Sequence, residues 1–494
     1  MSLGPRVHDY EVWGRLGEGG MSEVWLAKHT VLNVPVVMKT LKGQALGIGA
    51  DGCAQRVFNE ARLMARVTSG RVVRVIDAGV HDDGEKTPYL VEEYVDGIDL
   101  AELDRRRRRA LGVGLPLWFV CHVMHELCEG LRAAHHVGVL HRDLKPSNVF
   151  TAPGSGIRLG DFGLAVARAE ATTGDASGTL RFMAPEQLRG EALTRACDVY
   201  GAGATACDLR YGSPPFLDVE SALDPNIAPR FAVPQSAPEA YFQHVIGEML
   251  RKRAEDRPSD TCEPSRSFLT LANTLRPMRA RSSYTPLGHD SFAIGEVHVT
   301  LAVGDIALEE ADAIVSSATD DMRMRSGVGE ALRLRGGDVI EEEGLRGGRQ
   351  PLGACVATDA GTLRARHVLH AVSAWNEASC IGRAMDRSLL LAEELGLRTL
   401  AFPALGTGAA RVNMETCARA MTAGIAGYLA LGGSHLRQVR IVLASEEKLR
   451  IFRDVFDDVM RDGADDPPAD FGLPDEGVTV RVDAATHLDP RTKH

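Results

Sequence analysis

The segment LHRDLKPSNV gathers His141, Arg142, Asp143, Lys145 and Asn148 within eight positions, and LGDFGLA adds Asp161 after a short hairpin. These residue types suit phosphoryl transfer. An aspartate can accept or orient the proton of an attacking hydroxyl, and an amide and a second carboxylate can hold a divalent cation against phosphates. A lysine can neutralise charge building on the transferred group. A chance polar loop does not readily produce this set in this order. Upstream, RLGEGGMSEVW (Arg15 to Trp25) lies between two strand-like runs, EVWGRL and EVWLAKHT. Small residues there let backbone N–H groups fold over a polyphosphate. A strand follows this loop, so a dinucleotide fingerprint, which needs a helix, is excluded. Lys39 then sits inside the apolar strand PVVMKTL, and Glu60 lies on one face of the helical run RVFNEARLMARV. If the two meet, they fix a cation beside the nucleotide.

These residues need elements to hold them. The chain has 494 residues, more than one core usually organises, so two or three domains are expected. It is 44% hydrophobic and 25% charged, as a soluble globular protein is. Residues 10–272 hold short strand patterns followed by long helical ones. Residues 273–293 are rich in Pro, Ser and Arg and read as a linker. Residues 294–460 alternate strand runs (EVHVTLAV, ADAIVSSA, RHVLHAVS, LRTLAFPA, VRIVLAS) with helix runs, which implies βαβ units and a mostly parallel sheet. Residues 461–494 carry eight acids against four bases and read as an acidic, disordered tail. The nine cysteines show no CxxC pairing, so a disulfide framework or zinc cage is not indicated, and a reducing cytoplasm is expected. The longest weakly apolar stretch, Ala420 to Leu431, is too short to span a bilayer. The net charge of −11 makes nucleic acid an unlikely partner.

With these motifs in order, residues 10–272 resemble a bacterial eukaryotic-type Ser/Thr protein kinase, an α+β bilobal fold. The resemblance implies Mg²⁺ or Mn²⁺, ATP as substrate, and protein Ser/Thr side chains as acceptors. It places Gly17 and Gly19 in the glycine-rich loop, with Val24, Glu93 and Val95 around the adenine. It pairs Lys39 with Glu60, and makes Asp143 the catalytic aspartate and Lys145 its neighbour. Asn148 and Asp161 become the metal ligands. Glu186 of MAPEQ should pair with Arg257 of DRPS, and Asp198 should anchor the catalytic loop from beneath. Arg142 before Asp143 implies control by activation-loop phosphorylation, with Thr172 and Thr173 as acceptors and Thr179 nearer the substrate platform. Kinases of this kind often dimerise through the smaller lobe, which makes a dimer one route to activation. Glu92 departs from the pattern: it falls at the back of the adenine pocket, where an apolar residue is usual, and a buried carboxylate there needs a partner such as Lys39 or water. The run Arg105 to Arg109 reads mainly as a solvated helix. A dock for an acidic substrate, or for the chain's own acidic C-terminus, is the sharper alternative.

Residues 294–460 resemble a macro domain, an ADP-ribose-binding α/β module of three layers with a mixed, mostly parallel sheet. GDI, DAIVSSAT, SGVGEAL, VLHAVSAW and FPALGTGAA carry the resemblance. It implies that Asp305 and Ile306 meet the adenine side. Gly327 and Val328 form one phosphate loop, and Gly406, Thr407, Gly408, Ala409 and Ala410 form the other. The family's Asn-Ala-Ala-Asn is here Ser316, Ser317, Ala318 and Thr319, and its loop acid is Gly329, followed by Glu330. These changes favour a reader of ADP-ribose or ADP-ribosylated protein over a hydrolase. The alternatives are an active kinase whose macro domain hydrolyses ADP-ribose adducts, and a non-catalytic nucleotide-binding scaffold.

Overall fold

The computed structural model describes residues 6–18, 22–41, 50–81, 86–152, 156–162, 180–275, 284–288, 290–375, 378–408, 411–462 and 481–482; some side chains inside these stretches, that of Glu60 among them, lie outside the described residues.

Alternating apolar side chains build the first sheet. Strands β1 (Arg6–Val7), β2 (Tyr10–Glu18), β3 (Ser22–His29) and β4 (Val34–Leu41) precede helix α1 (Ala50–Met64), and β5 (Val75–His81) and β6 (Thr87–Glu93) follow it. The sheet order is β1-β2-β3-β4-β6-β5, antiparallel throughout. Val36, Met38, Tyr89 and Val91 fill one face. Lys39 and Glu92 lie among the buried polar residues of the same strands.

After β7 (Ile98–Asp99) the chain becomes helical. Helix α2 (Leu100–Leu111) starts at Asp99, whose carboxylate accepts from Glu102 N at 2.8 Å, and ends at Gly112, whose φ of 69° closes the last turn. Helix α3 (Leu117–His136) buries Val120, Met124, Leu127 and Leu131 at helical spacing. Strands β8 (Val149–Ala152) and β9 (Gly156–Leu159) form the hairpin before Asp161. Helices α4 (Pro185–Leu188), α5 (Arg195–Tyr211), α6 (Val219–Leu223), α7 (Ala237–Met249) and α8 (Cys262–Leu275) complete this larger lobe. Helix α5 is buried almost all round and packs on α3 and α7.

A second sheet begins inside the expected linker, with β10 (Tyr284–Gly288) and β11 (Ser291–Ile294). The following elements are β12 (Val297–Val303), β13 (Ala313–Thr319), α9 (Gly327–Gly336), α10 (Val339–Arg346), β14 (Cys355–Asp359), β15 (His367–Trp375), β16 (Ala378–Ser379), α11 (Ile381–Glu394), β17 (Thr399–Phe402), α12 (Met414–Ala430), β18 (Gln438–Leu443) and α13 (Glu446–Asp462). The order is β10-β11-β12-β18-β17-β13-β15-β14, with β16 on β15. The run from β12 to β15 is parallel and its flanks are antiparallel, so the sheet is mixed and mostly parallel. Alternate strand residues serve opposite faces. Ile314, Val368 and Val442 pack with Leu332 and Ile340 on one side. Val315, Leu369 and Ile441 pack with Leu389, Ile425 and Phe452 on the other, which gives three layers. Two pieces of the acidic tail, expected to be disordered, are placed: 461–462 continue α13, and β19 (Arg481–Val482) pairs in parallel with β5.

The two units share a charged contact that corrects the reading of the arginine run. Arg106 forks onto Glu394 at 2.8 and 2.9 Å, and Arg387 forks onto Glu102 at 2.9 and 2.8 Å. Arg107 is 1% exposed, donates to Gly432 O at 2.8 Å and lies over the Tyr428 ring. Arg108 instead turns back to Asp104, Leu209 O and Arg210 O. Only Arg105 and Arg109 are exposed. The helix therefore docks on a folded domain and is not mainly solvated. The signal lay in spacing: Leu100, Leu103 and Arg107 form one buried stripe. Asp96 adds a second tie, accepting from Gly382 N at 2.8 Å and Arg383 N at 2.9 Å in the first turn of α11, where Cys380 offers no side-chain cap. Trp13, Leu26, Leu352 and Cys380 pack together beside it.

Glu102→Arg or Arg387→Glu alone should each lower stability by about 2 kcal/mol, because each leaves a like-charged, partly buried pair. The double exchange should recover much of that in thermal unfolding; full additivity of the two losses would contradict the contact.

Candidate active site and nucleotide pockets

The catalytic-loop segment is held from below by Asp198 on α5. Its carboxylate accepts from His135 Nε2 at 2.7 Å, His141 N at 2.8 Å and Arg142 N at 2.8 Å. Burial alone would push this carboxyl up, but the donors, His135 first, hold it below the usual aspartate range. His141 is fully buried, with Nε2 2.9 Å from Gly160 O, and its Nδ1 accepts from Asp143 N at 3.3 Å. That pattern places the proton on Nε2, and burial pushes the imidazole pKa down, so the ring is neutral. Arg142 takes a φ of 67° and Asp161 a φ of 59°, both left-handed and costly for residues with a Cβ. The strain sits where the chain must aim Asp143 and Asp161 into one cleft.

Asp143 is 6% exposed. Lys145 Nζ lies 3.2 and 3.0 Å from its two oxygens, and Asn148 Nδ2 donates to Asp143 O at 2.7 Å. The amide nitrogen of Asn148 is thus turned to protein, which leaves its carbonyl oxygen as the end for a cation. Together with the Asp161 carboxylate this is an all-oxygen donor pair, the chemistry that Mg²⁺ takes when phosphates complete its shell. Among the described residues no cluster of three His, Cys, Asp or Glu side chains forms a metal cage by itself.

Opposite, Lys39 Nζ pairs with Asp161 and lies 2.5 Å from Glu92 Oε2, with both Lys39 and Glu92 side chains 8% exposed. Burial alone would push the Lys39 ammonium down; Asp161 and Glu92 outweigh it and hold its pKa above the ordinary lysine range. Glu60, the partner implied by resemblance, has a side chain outside the described residues. Gly17 pairs with Val24, and Val24 with Lys39, so the loop strand and the lysine are in register. Gly19 lies outside the described residues. Glu93 bonds the backbone of Arg74 through both main chain and side chain, and Val95 O accepts from Gly97 N.

Glu186 and Arg257 form a buried fork at 2.6 and 2.8 Å, and Arg257 also donates to the carbonyls of Ala196, Arg251 and Lys252. A small polar pocket lined by Arg142, Asp143, Phe182, Met183 and Gln187 opens beside it. Among the described residues Arg142 Nε is buried there without a partner. Thr172, Thr173 and Thr179 lie outside the described residues.

In the second unit β12, β13 and β17 run in the same direction, so their C-terminal ends lie at one edge of the sheet, where open α/β sheets place ligands. Asp305 is exposed and accepts from Ala307 N at 3.0 Å, and Ile306 is buried behind it. Gly327 opens α9 with a φ of 58°, beside half-buried Val328. Gly406 has a φ of 72°, and a Cβ there would stand 3.2 Å from Ile381. Gly406 N donates to Ser317 Oγ at 3.2 Å, and Ser317 also meets Ser373 Oγ at 2.9 Å. Thr407 Oγ1 donates to Ala404 O, and Gly408 O accepts from Arg411 N. Ala409 and Ala410 lie outside the described residues. Thr319 donates to Asp321 at 2.7 Å, and Asp320 pairs with Arg349 at 3.1 Å. The anchoring role of Ser317 was missed from sequence, where it registered only as a departure.

A protein kinase domain model matches residues 10–268, and a macro domain model matches residues 315–421. Among curated relatives, a probable serine/threonine-protein kinase PknB of Corynebacterium glutamicum is 34% identical over 214 residues, covering 42% of this chain and 32% of its own. A Corynebacterium efficiens serine/threonine-protein kinase named drp72 is 31% identical over 290 residues, covering 57% of this chain and 53% of its own. PknA of C. glutamicum is 31% identical, with coverages of 56% and 59%. The chain thus spans a third to three-fifths of the length of these relatives. The crystal structure of the Mycobacterium tuberculosis PknI kinase domain aligns with 26% identity and a TM-score of 0.44, covering 55% of this chain and 100% of that one.

Replacing Arg257 by Met should cost roughly 3–5 kcal/mol in denaturant unfolding, because Glu186 is left buried and unpaired; a loss under about 1 kcal/mol contradicts the buried fork. Asp198 stabilises the fold while it is ionised. Its folded-state pKa is depressed, so its contribution is complete above the ordinary aspartate value of about 3.9 and fades as pH falls through the lower, folded value. The stability gap between the native chain and Asp198→Asn should therefore shrink at acid pH, and a gap that widens there would contradict the assignment.

Proposed function

The chain belongs to the protein kinase family and carries a macro domain after it, and from that premise we propose that it is a protein serine/threonine kinase whose macro domain reads ADP-ribose. The kinase unit of this reading runs from residue 10 to the end of α8 at Leu275, and the reader from β10 at Tyr284 to the end of α13 at Asp462. The observation that supports this most is the convergence of Lys145 and Asn148 on Asp143, facing Lys39 and Asp161. In this reading Asp143 orients a substrate hydroxyl, and Lys145 neutralises charge on the transferred phosphoryl group. Asn148 and Asp161 hold Mg²⁺ or Mn²⁺, and Lys39 meets the ATP phosphates. The backbone of Glu93 and Val95 serves adenine, under Gly17, Gly19 and Val24. Arg142, with its buried Nε, takes a phosphate placed on Thr172 or Thr173. The site is proposed to act in the cytoplasm on protein Ser/Thr side chains, and no helix among the described residues is long and apolar enough to cross a membrane.

For the second pocket, a reader is favoured over a hydrolase by what has become of the family's asparagines. The first stands here as Ser316, a buried serine, and the second as Thr319, whose hydroxyl is committed to Asp321. Neither offers an amide to orient a distal ribose. Loop N–H groups around Gly327 and Gly406 suit a pyrophosphate in a domain whose acids outnumber its bases. ADP-ribose or an ADP-ribosylated protein is the ligand of this reading, with Asp305 at its adenine.

Asp143→Asn and Lys39→Met should each abolish transfer of labelled γ-phosphate by the full chain; incorporation at the wild-type rate would refute these roles. ADP-ribose should give a calorimetric signal with the full chain, weakened at least fivefold by Asp305→Ala. No heat at millimolar ligand would refute the reader, and an unaltered isotherm in the variant would place the ligand elsewhere.

A further inference from the structure

The register of β4 and β6 sets Val37 opposite Glu92 and Lys39 opposite Leu90. Residues two apart share a face of a strand, so Lys39 and Glu92 emerge on the same side of the sheet as near neighbours. Strand β6 lies inside the sheet, between β4 and β5, and its central residues are all buried. Glu92 is therefore held by a ladder on both sides. Its carboxylate reaches Lys39 Nζ at 2.5 Å. An unpaired carboxylate at this depth would be expensive, and so would an unpaired ammonium. Each group makes the other tolerable. The pair also fixes where the ammonium points: Glu92 draws it from behind, and Asp161 draws it toward the cleft.

We propose that Glu92 is a positioning residue for phosphoryl transfer, holding the Lys39 ammonium in the cleft from within the sheet. The resemblance gives that task to Glu60, on helix α1. A carboxylate on a helix can swing with the helix; one on an interior strand cannot. Lys39 in this chain is thus oriented from within the sheet. The Lys39–Glu92 pair thus stands where the resemblance implies an apolar side chain at the back of the adenine pocket.

The proposal rests on the kinase reading, and the test separates the two. KM for ATP and kcat are measured on the full chain for wild type, Glu92→Gln, Glu92→Asp, Glu92→Met and Glu60→Gln, with circular dichroism to check folding. Glu92→Gln, which keeps shape and loses charge, should raise KM for ATP at least fivefold and lower kcat/KM at least tenfold. Glu92→Asp should recover part of both, and Glu60→Gln should fall less than Glu92→Gln. A merely structural role would reduce the active fraction, and so the apparent kcat, at unchanged KM; that result would overturn the proposal. So would Glu92→Gln and Glu92→Met both within twofold of wild type, or Glu60→Gln falling further than Glu92→Gln. If the wild type itself transferred no phosphate, the kinase reading would fall. The proposal would still be decided by the affinity of a non-hydrolysable ATP analogue, expected at least fivefold weaker in Glu92→Gln and refuted by an equal affinity. Should Glu92→Met fail to fold, the isosteric Gln variant carries the test.

Discussion

A buried ammonium has to be neutralised where it stands, and much of the first unit is arranged around that requirement. Lys39 is nearly inaccessible, and two carboxylates answer it, one from an interior strand and one from the residue after the β8–β9 hairpin. The second of these, Asp161, holds a left-handed backbone where it meets the ammonium. The hairpin that delivers Asp161 also delivers Gly160, whose carbonyl accepts a hydrogen bond from His141 Nε2. His141 and Arg142 in turn hang from Asp198 by their own amides. Charge compensation at Lys39 is thus continuous with the backbone geometry that aims Asp143.

The same economy of charge appears between the two units. The strand that carries Glu92 ends at Glu93, and the chain then passes Val95 to Asp96, which caps the first turn of α11. The helix that follows buries Arg107 in the second domain and exchanges Arg106 and Glu102 for Glu394 and Arg387. Burial raises the cost of each carboxyl here, and Asp96 and Asp386 are both pushed up by it, whereas Glu102 is held low by Arg387. An interface of this composition draws its specificity from complementary charge more than from apolar area.

Much of this was legible in the sequence. The catalytic-loop residues are, because their chemistry demands particular side chains at fixed spacing. The alternation of strand and helix after residue 294 is legible for the same reason of period. Glu92 stood out as a departure from the kinase pattern, and a carboxylate buried there requires a partner. The interface was not legible. Five arginines in a row read as solvent-facing, since a run of like charge says nothing about which members a neighbouring domain will cover; only the spacing of Leu100, Leu103 and Arg107 marked the inner face. Ser317 escaped for another reason. Its hydroxyl works on Gly406, a residue far along the chain that only the parallel pairing of β13 with β17 brings beside it. Gly19, Thr172, Thr173, Thr179 and the side chain of Glu60 were assigned from sequence and lie outside the described residues.

The most direct measurement is a crystal structure of the full chain with Mg²⁺ and a non-hydrolysable ATP analogue. Lys39 Nζ should lie between the Glu92 carboxylate and the nucleotide phosphates, with Asn148 and Asp161 on the metal. A structure in which Lys39 had left Glu92, and Glu92 faced solvent or the adenine alone, would contradict it.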